Sequence, residues 1–198
     1  MRIIGITGGI GTGKSTILHL LECEYQAYIV ETDKLAHELM LPGNAIYRKI
    51  VEYFGTDILL EDGSIDRGKL GSIVFKKEAE LEALNHIVHP AVKQYILEDI
   101  RQKKAGGQVN LYVIEAALLI EDGYKEICDE LWYIYVEKEE RISRLLNGRG
   151  GTREKWENII ANQSSEEFYK KYCDKIVENG ENVQKTADIV HDLLCKTT

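Results

Sequence analysis

The chain has 198 residues, of which 44% are hydrophobic, and its formal net charge is −8 at neutral pH. A chain of this length buries a substantial core and is most simply one domain with insertions. The acidic balance argues against general nucleic-acid binding, which requires a basic surface. No uninterrupted apolar run approaches the length of a membrane span.

The first predicted elements are a short apolar strand over residues 1–7, a glycine-rich loop, and a helix with an apolar face. The loop matches the phosphate-binding pattern G-x-x-x-x-G-K-[ST]. It reads Gly8-Gly9-Ile10-Gly11-Thr12-Gly13-Lys14-Ser15. Strand, loop and helix follow one another as this chemistry requires, which makes an ordinary glycine-rich turn a weak alternative.

Each part of this loop has a physical role. The glycines let the backbone approach a phosphate closely, and the backbone N–H groups with the positive end of the helix form an anion site. Lys14 can reach the β- and γ-phosphates of a nucleoside triphosphate, and the Ser15 hydroxyl can ligate Mg²⁺. The predicted nucleotide-binding residues are Gly9, Ile10, Gly11, Thr12, Gly13, Lys14, Ser15 and Thr16.

A second strand, predicted over 27–31, ends at Glu31 and is followed by Asp33. Helices are then predicted over 34–40, 45–54, 67–75, 78–85 and 90–104. This helical excursion is too long for a simple crossover between two strands and predicts a separate lobe.

Further strands are predicted over 109–114, 131–136 and 175–179. They alternate with helices over 138–146, 153–168 and 183–194, and residues 147–151 form a loop. The alternation predicts an α/β fold with a parallel sheet, whose ligand lies at the carboxyl ends of the strands. Those ends carry the glycine loop together with Glu31, Asp33, Glu115 and Glu121.

The four cysteines are scattered and form no C-x-x-C pair, so neither a zinc site nor a redox motif is indicated. We expect reduced thiols in or near the core. The amino-terminal apolar stretch is interrupted at once by Gly8 and Gly9 and does not read as a secretory signal. A cytoplasmic protein is therefore expected.

Motifs along nearly the whole chain resemble those of the dephospho-coenzyme A kinase family. The matching segments are Thr7 to Ser15, Glu31-Thr32-Asp33, Pro42-Gly43, Phe54-Gly55, Asp62-Gly63-Ser64-Ile65-Asp66-Arg67, His89-Pro90, Ala117-Leu118-Leu119-Ile120-Glu121, Arg144-Leu145, Gln163, and Val177-Glu178-Asn179-Gly180. They occur in the order that the family shows.

The resemblance implies a P-loop NTPase fold, a three-layer α/β/α arrangement around a central five-stranded parallel sheet. One kinase domain over 1–198 would carry a helical substrate lobe at about 55–105 and a small lid at about 138–158. The implied reaction transfers the γ-phosphate of ATP to the ribose 3′-hydroxyl of dephospho-CoA, giving CoA and ADP, with Mg²⁺ as cofactor. No nucleic-acid or membrane partner is expected, and a monomer is expected.

The resemblance also implies residue roles. The implied catalytic residues are Asp33, Lys14, Arg144 and Arg149. The implied substrate-binding residues are Asp33, Arg67, His89, Leu118 and Glu121. Two of these have structural alternatives, since Asp33 could instead cap the following helix and His89-Pro90 could simply separate two helices.

Four positions depart from the family pattern. His37 replaces an arginine and Ala117 a proline, while Glu115 replaces an aspartate and keeps its charge. The second lid arginine is replaced by Gly148 with Arg149 next to it. Because the glycines of this segment suggest that the helix has ended, we predict that Arg149 takes the place of the missing arginine.

Three competing functions remain at this point. Gluconate, shikimate and nucleoside monophosphate kinases share the glycine loop and a lid, but the long helical lobe and His89-Pro90 argue against them. A guanine-nucleotide switch would need an N-K-x-D sequence, which is absent. An ATP binder without turnover is disfavoured because Lys14, Ser15 and Asp33 are all present.

Overall fold

The protein, described by a computed structural model over residues 1–180 and 182–195, is organised around a five-stranded sheet with the strand order β2-β3-β1-β4-β5. The strands are β1 (Arg2–Thr7), β2 (Tyr28–Glu31), β3 (Leu111–Glu115), β4 (Glu130–Tyr135) and β5 (Lys175–Glu178). The described helices are α1 (Lys14–Tyr25), α2 (Thr32–Leu39), α3 (Ala45–Phe54), α4 (Arg67–Val74), α5 (Glu78–Gly106), α6 (Lys138–Arg149), α7 (Arg153–Ala161), α8 (Glu166–Tyr172) and α9 (Val183–Cys195).

Parallel pairing of β1 with both β3 and β4 makes β1 the central strand. Gly5 pairs with Ile114 on one side and Leu131 on the other, and β5 continues the sheet beyond β4. The three central strands β1, β3 and β4 consist largely of β-branched and aromatic residues buried on both faces, which is typical of a parallel sheet covered by helices. The predicted α/β architecture is confirmed.

The main core lies where α1 and α9 pack on the sheet. It contains buried side chains from four strands and both helices, which are Ile4, Ile6, Ile17, Leu18, Leu21, Leu111, Val113, Trp132, Ile134, Val177 and Val190. Burying such side chains contributes about 1.5–3 kcal/mol each before the entropy of folding is subtracted. This packing fixes the start of α1, and therefore the glycine loop, against the sheet.

The chain forms two compact units, one of residues 1–29 with 107–198 and the other of residues 30–106. In the second unit, α2, α3 and α4 each pack on α5. A stripe of α5 residues at intervals of four, namely Val88, Val92, Ile96 and Ile100, is buried there. The division into one kinase domain with a lobe and a lid stays a prediction.

The prediction of two helices over 78–85 and 90–104 is wrong, because α5 runs without interruption and contains Pro90. Proline removes one intrahelical hydrogen bond and crowds the preceding turn, which costs about 3 kcal/mol. Buried Val88 and Val92 flank the proline, and burial of the continuous stripe offsets that cost. His89 is therefore a mid-helix residue, and its alternative reading as a helix boundary is also wrong.

Two further boundaries differ from the prediction. The segment 153–168 forms two helices, since Ser165 caps α8 by accepting a hydrogen bond from the Phe168 N–H. Helix α6 does not end near residue 146 but continues through Gly148 to Arg149. A glycine inside a helix costs only about 1 kcal/mol, which is not enough to end it.

Within the described residues, every helix is too short or too polar to cross a membrane. The four cysteines are unpaired thiols. Cys128 and Cys173 are partly buried, but Cys23 and Cys195 are exposed. The expectation that all four lie in or near the core is therefore wrong for Cys23 and Cys195, which lie on the outer faces of α1 and α9.

Candidate active site

The glycine loop connects the carboxyl end of the central strand to the first turn of α1. Gly8 has φ +151°, and a Cβ there would lie 2.7 Å from the carbonyl oxygen of Ile134. Gly13 has φ +77°, and a Cβ there would lie 2.4 Å from the side-chain nitrogen of Asn179. Neither position accepts a side chain, so the loop can follow this tight path only with glycine.

The loop ends where the N–H groups of α1 begin. Lys14 and Ser15 are the first two residues of α1, so their N–H groups have no acceptor within the helix. The helix dipole adds positive potential at the same place. An anion such as a phosphate is the ligand that this arrangement favours.

The Lys14 side chain lies across the mouth of the loop. Its ammonium donates a hydrogen bond of 2.8 Å to the Gly8 carbonyl oxygen and lies 3.6 Å from the Glu115 carboxylate. Both side chains are largely shielded from solvent. The sequence placed Glu115 at the same edge of the sheet as the loop, and in the structure its carboxylate pairs with the loop lysine.

Ser15 is exposed at the second position of α1, and its hydroxyl makes no hydrogen bond within the described residues. No group of three or more His, Cys, Asp or Glu side chains in those residues is arranged to hold a metal ion. Nucleotide-bound Mg²⁺ takes most of its oxygens from phosphates and water and only one or two from protein. The Ser15 hydroxyl is an oxygen of the kind that Mg²⁺ prefers and fits that role.

A second set of contacts fixes the far side of the loop. Asn179, which follows β5 and is buried, donates through its side-chain nitrogen to the carbonyl oxygens of Thr12 at 2.8 Å and Gly13 at 3.3 Å. The Thr186 hydroxyl donates to the Asn179 side-chain oxygen at 3.3 Å. The sequence analysis quoted Asn179 as part of a motif but assigned it no role.

Helix α6 packs directly against the loop. A Cβ at Gly11 would lie 3.1 Å from both the Arg141 carbonyl oxygen and the buried Leu145 side chain. Arg144 donates to the Asn179 carbonyl oxygen at 2.8 Å and forms an ion pair with Glu140. The structure thus holds the predicted catalytic Arg144 close to the loop.

Arg149 is in a different situation from Arg144. It is the last residue of α6 and is exposed. Five residues along a helix correspond to a rotation of about 140°, so Arg149 points away from the face that Arg144 uses. The premise that the helix ends before Arg149 is wrong, and its role as a replacement lid arginine stays a prediction.

The loop also contacts Gln163 and Arg141, to which the sequence analysis assigned no role. The Ile10 N–H donates to the Gln163 side-chain oxygen at 3.0 Å, and the Ile10 carbonyl accepts from Arg141 Nε at 2.9 Å. Arg141 Nη2 also donates to the same Gln163 oxygen at 2.8 Å. Gln163 had been noted only as a family match, and Arg141 not at all.

Two predicted substrate residues lie in the loop-bearing unit. Leu118 is exposed in the segment that follows β3. Glu121 is also exposed and accepts a hydrogen bond of 2.9 Å from the Ser164 hydroxyl, next to Gln163 in the chain.

Three predicted residues belong to the unit of residues 30–106. Asp33 is exposed in the first turn of α2, whose N-cap is Glu31, so the alternative reading of Asp33 as the helix cap is wrong. Arg67 is exposed at the first position of α4, after its cap Asp66. His89 is half-buried within α5.

Two cavities adjoin the Asn179 side of the loop. The larger, of about 430 Å³, is lined by Tyr135, Val136, Glu137, Glu140, Glu178, Gly180, Asn182, Lys185 and Thr186. The smaller, of about 210 Å³, is lined by Thr16, Ile17, His19, Leu20, Cys23, Glu24, Asn179, Val183 and Thr186. The smaller cavity includes Thr16 and Ile17 from the first turn of α1, and both cavities share Thr186.

Comparison with known proteins agrees with this geometry. A dephospho-CoA kinase from Carboxydothermus hydrogenoformans is 36% identical over 196 residues, covering 99% of this chain and 94% of the relative. The crystal structure of TT1252 from Thermus thermophilus superposes with a TM-score of 0.82 at 26% identity, covering 100% and 98% of the two chains.

A shikimate kinase from Acinetobacter baumannii has a TM-score of 0.55 at 12% identity, covering 100% of this chain and 95% of its own, and this likeness concerns the fold alone. The family model for dephospho-CoA kinase matches residues 2–185. Since that match and the 36% identical relative both span nearly the whole chain, the chain belongs to the dephospho-CoA kinase family.

Proposed function

We propose that this chain transfers the γ-phosphate of ATP to the ribose 3′-hydroxyl of dephospho-CoA, with residue roles set by the chemistry of phosphoryl transfer. The observation that carries the proposal is the complete phosphate loop, with Lys14 across its mouth, in a chain that matches the family over residues 2–185. The family activity supplies both substrates. The roles below are inferences from this chain's own residues.

The phosphates of ATP bind to the loop. The N–H groups at the start of α1 donate to the phosphate oxygens, and Lys14 moves from the Gly8 carbonyl to the β- and γ-phosphates. The Ser15 hydroxyl would ligate Mg²⁺, whose charge stabilises the phosphates when it is bound. Mg²⁺ dependence is part of the proposal and rests on the chemistry of these groups.

Asp33 accepts the proton of the attacking 3′-hydroxyl. Its carboxylate follows β2, is exposed, and does not cap α2. An exposed carboxylate in the first turn of a helix, with no capping hydrogen bond to hold it, is suited to orient a hydroxyl and take its proton. The neighbouring Lys34 pairs with Glu31, which leaves the Asp33 charge outside that ion pair.

Charge on the transferring phosphoryl group is stabilised by arginine. Arg144 lies beside the loop through its bond to Asn179, and its release from Glu140 would free the guanidinium to contact phosphate oxygens. Arg149 would contribute only if the end of α6 rearranged when nucleotide binds.

The acceptor is proposed to contact Arg67, His89, Leu118 and Glu121. Arg67 supplies positive charge for a substrate phosphate, and exposed Leu118 supplies an apolar surface. His37 is exposed on α2, where the family pattern has arginine, so one charge contact to the substrate would be weaker here. A cytoplasmic monomer without a nucleic-acid partner remains the expectation from the sequence.

An ADP-release assay with MgATP tests the activity. Dephospho-CoA is compared with adenosine, AMP, gluconate and shikimate as acceptors, and the product is characterised by ³¹P NMR. Turnover with dephospho-CoA alone, and phosphorylation at the ribose 3′ position, is the expected result. Faster turnover with another acceptor would overturn the substrate assignment, and no turnover despite ATP binding would overturn the assignment of a catalytic role.

A further inference from the structure

The peptide groups on both sides of Ile10 are held by two side chains that are themselves bonded to each other. Gln163 accepts from the Ile10 N–H, Arg141 donates to the Ile10 carbonyl, and Arg141 donates to Gln163. We call these two side chains the Ile10 clamp. Its three hydrogen bonds lie between 2.8 and 3.0 Å.

The clamp lies directly on the phosphate loop. A Cβ at Gly9 would be 2.2 Å from Arg141 Nη2 and 2.7 Å from the Gln163 side-chain oxygen. The backbone of Gly9 is not in the left-handed region. Gly9 is therefore required for the approach of the clamp rather than for the path of the chain, unlike Gly8 and Gly13.

The clamp also brings an uncompensated positive charge to the loop. Arg141 is partly buried, and burial lowers the pKa of its guanidinium, which nevertheless stays protonated as arginine does in proteins. Within the described residues it forms no ion pair, and the phenols of Tyr133 and Tyr169 are the groups that act on its charge electrostatically.

These two rings stack at 4.7 Å, and burial raises the pKa of Tyr133 to about 12 and that of Tyr169 in the same direction. Both phenols are thus neutral and leave the charge of Arg141 uncompensated.

Burying part of an unpaired cation is unfavourable unless an anion arrives to balance it. The triphosphate that the proposed function requires is such an anion, and the loop that would bind it is the backbone to which Arg141 is bonded. Arg141 therefore brings a partly buried positive charge, hydrogen-bonded to two neutral oxygens, to the loop that would bind the triphosphate.

We propose that Arg141 and Gln163 are positioning residues that set ATP affinity by holding the Ile10 peptide, and hence the phosphate loop, in its nucleotide-binding form. They act through the loop backbone and through the charge of Arg141, and they connect α6 and the α7–α8 connection to the nucleotide. The proposal rests on the proposed function and adds residues to its nucleotide-binding step.

The test measures binding of Mg²⁺ with a non-hydrolysable ATP analogue by titration calorimetry, which needs no acceptor. Arg141→Ala and Gln163→Leu are each expected to weaken binding about tenfold or more. The double variant is expected to bind the analogue no more than about twofold more weakly than whichever single variant has the lower affinity, because either change opens the same clamp. Additive effects, or binding within twofold of the unmutated protein in both single variants, would overturn the proposal.

Two further variants separate positioning from general damage to the fold. Gln163→Glu keeps an acceptor for both donors, so its melting temperature is expected to stay close to that of the unmutated protein, but its negative charge balances Arg141 beside the anion site and is expected to weaken analogue binding about tenfold or more. Gly9→Ala pushes the clamp away without deleting either side chain, and it is expected to weaken analogue binding about tenfold or more. It tests the clamp independently if Arg141→Ala fails to fold. A Gln163→Glu variant that binds the analogue within about twofold of the unmutated protein, or a Gly9→Ala variant with unchanged affinity, would overturn the proposal.

Kinetics complete the test. The clamp variants are expected to raise the KM for ATP while the KM for dephospho-CoA stays within about twofold, whereas partial loss of fold would lower the apparent kcat and leave both KM values unchanged. An equal rise in both would overturn the proposal. The unmutated protein is the reference for activity. If it binds the analogue but shows no turnover, the proposed function is contradicted while the clamp proposal is not.

Discussion

The Lys14 ammonium lies 3.6 Å from the Glu115 carboxylate, although more than 100 positions separate the two residues in the chain. The sheet order brings them together, because β3 pairs in parallel with β1 and both strands end at the same edge. Lys14 is also bonded to the Gly8 carbonyl, so its position does not depend on the carboxylate alone. These two contacts hold the lysine ammonium beside the backbone of the loop.

Replacing Lys14 by alanine is expected to lower kcat by about 100-fold or more, because one positive group at the transferring phosphate is lost. Glu115→Gln is the matched variant, since it removes the ion pair but leaves the lysine and its bond to Gly8. It is expected to retain more than a tenth of kcat. Steady-state ADP release measures both, and a Glu115→Gln defect as large as that of Lys14→Ala would transfer the main role to the carboxylate.

Asp33→Asn is expected to lower kcat by about 100-fold or more while the melting temperature stays close to that of the unmutated protein, because the side chain bears no capping hydrogen bond. Glu38→Gln, which removes another exposed carboxylate of α2, is the control and is expected to have little effect. Near-normal turnover by Asp33→Asn would remove Asp33 from the mechanism.

Arg144 and Arg149 can be compared directly. Arg144→Ala is expected to lower kcat by about 100-fold, because this guanidinium lies beside the loop. Arg149→Ala has a smaller expected effect, since the continuation of α6 turns Arg149 to another face. Single-turnover ATP consumption measures both. A change of less than about twofold for Arg149→Ala would end its assignment as a lid arginine.

Local sequence was enough to predict the loop, the strands and the fold class, because each depends on neighbouring residues. Alternating helices and apolar strands predict a parallel sheet, and the glycine spacing predicts an anion site. The position of the Lys14 side chain at the loop could be predicted in the same way, since the motif fixes where the lysine stands, and its role toward the phosphates stays a prediction.

The contacts that hold the loop could not be predicted in this way. Arg141, Gln163 and Asn179 are separated from the loop residues that they contact by 131, 153 and 167 positions. Their proximity follows from the strand order, which places β4 and β5 beside β1, and a single sequence does not state that order. The helix prediction at Pro90 was wrong for a related reason. Whether α5 continues depends on the packing of its buried stripe, which local sequence does not show.

The four thiols are expected to divide into two pairs by reactivity. Burial raises the pKa of both Cys128 and Cys173 to about 12, so little thiolate is present at pH 8, whereas Cys23 and Cys195 are exposed. A thiol reagent at pH 8 should therefore modify two groups rapidly in the native protein and all four in denaturant. The double variant Cys23→Ser with Cys195→Ser should lose the rapid phase, and a rapid phase that persists would contradict the assignment.

Asn179→Ala is expected to destabilise the protein and to weaken nucleotide binding together. The substitution leaves the Thr12 and Gly13 carbonyls without their shared donor in a buried place, which costs about 1–3 kcal/mol. For a chain of this size, that corresponds to a decrease in melting temperature of about 2–12 °C. Thermal unfolding measures it, and calorimetry with the ATP analogue measures the accompanying loss of affinity.

Two variants sharpen the Asn179 prediction. Thr186→Val removes the donor to the Asn179 oxygen but leaves the bonds to the loop, so its effect on affinity should be much smaller. Asn179→Asp replaces the donor by a negative charge beside an anion site and should weaken analogue binding more than alanine does. If Asn179→Asp bound the analogue as well as the unmutated protein, the amide would not be holding the loop, because a carboxylate can donate to neither carbonyl.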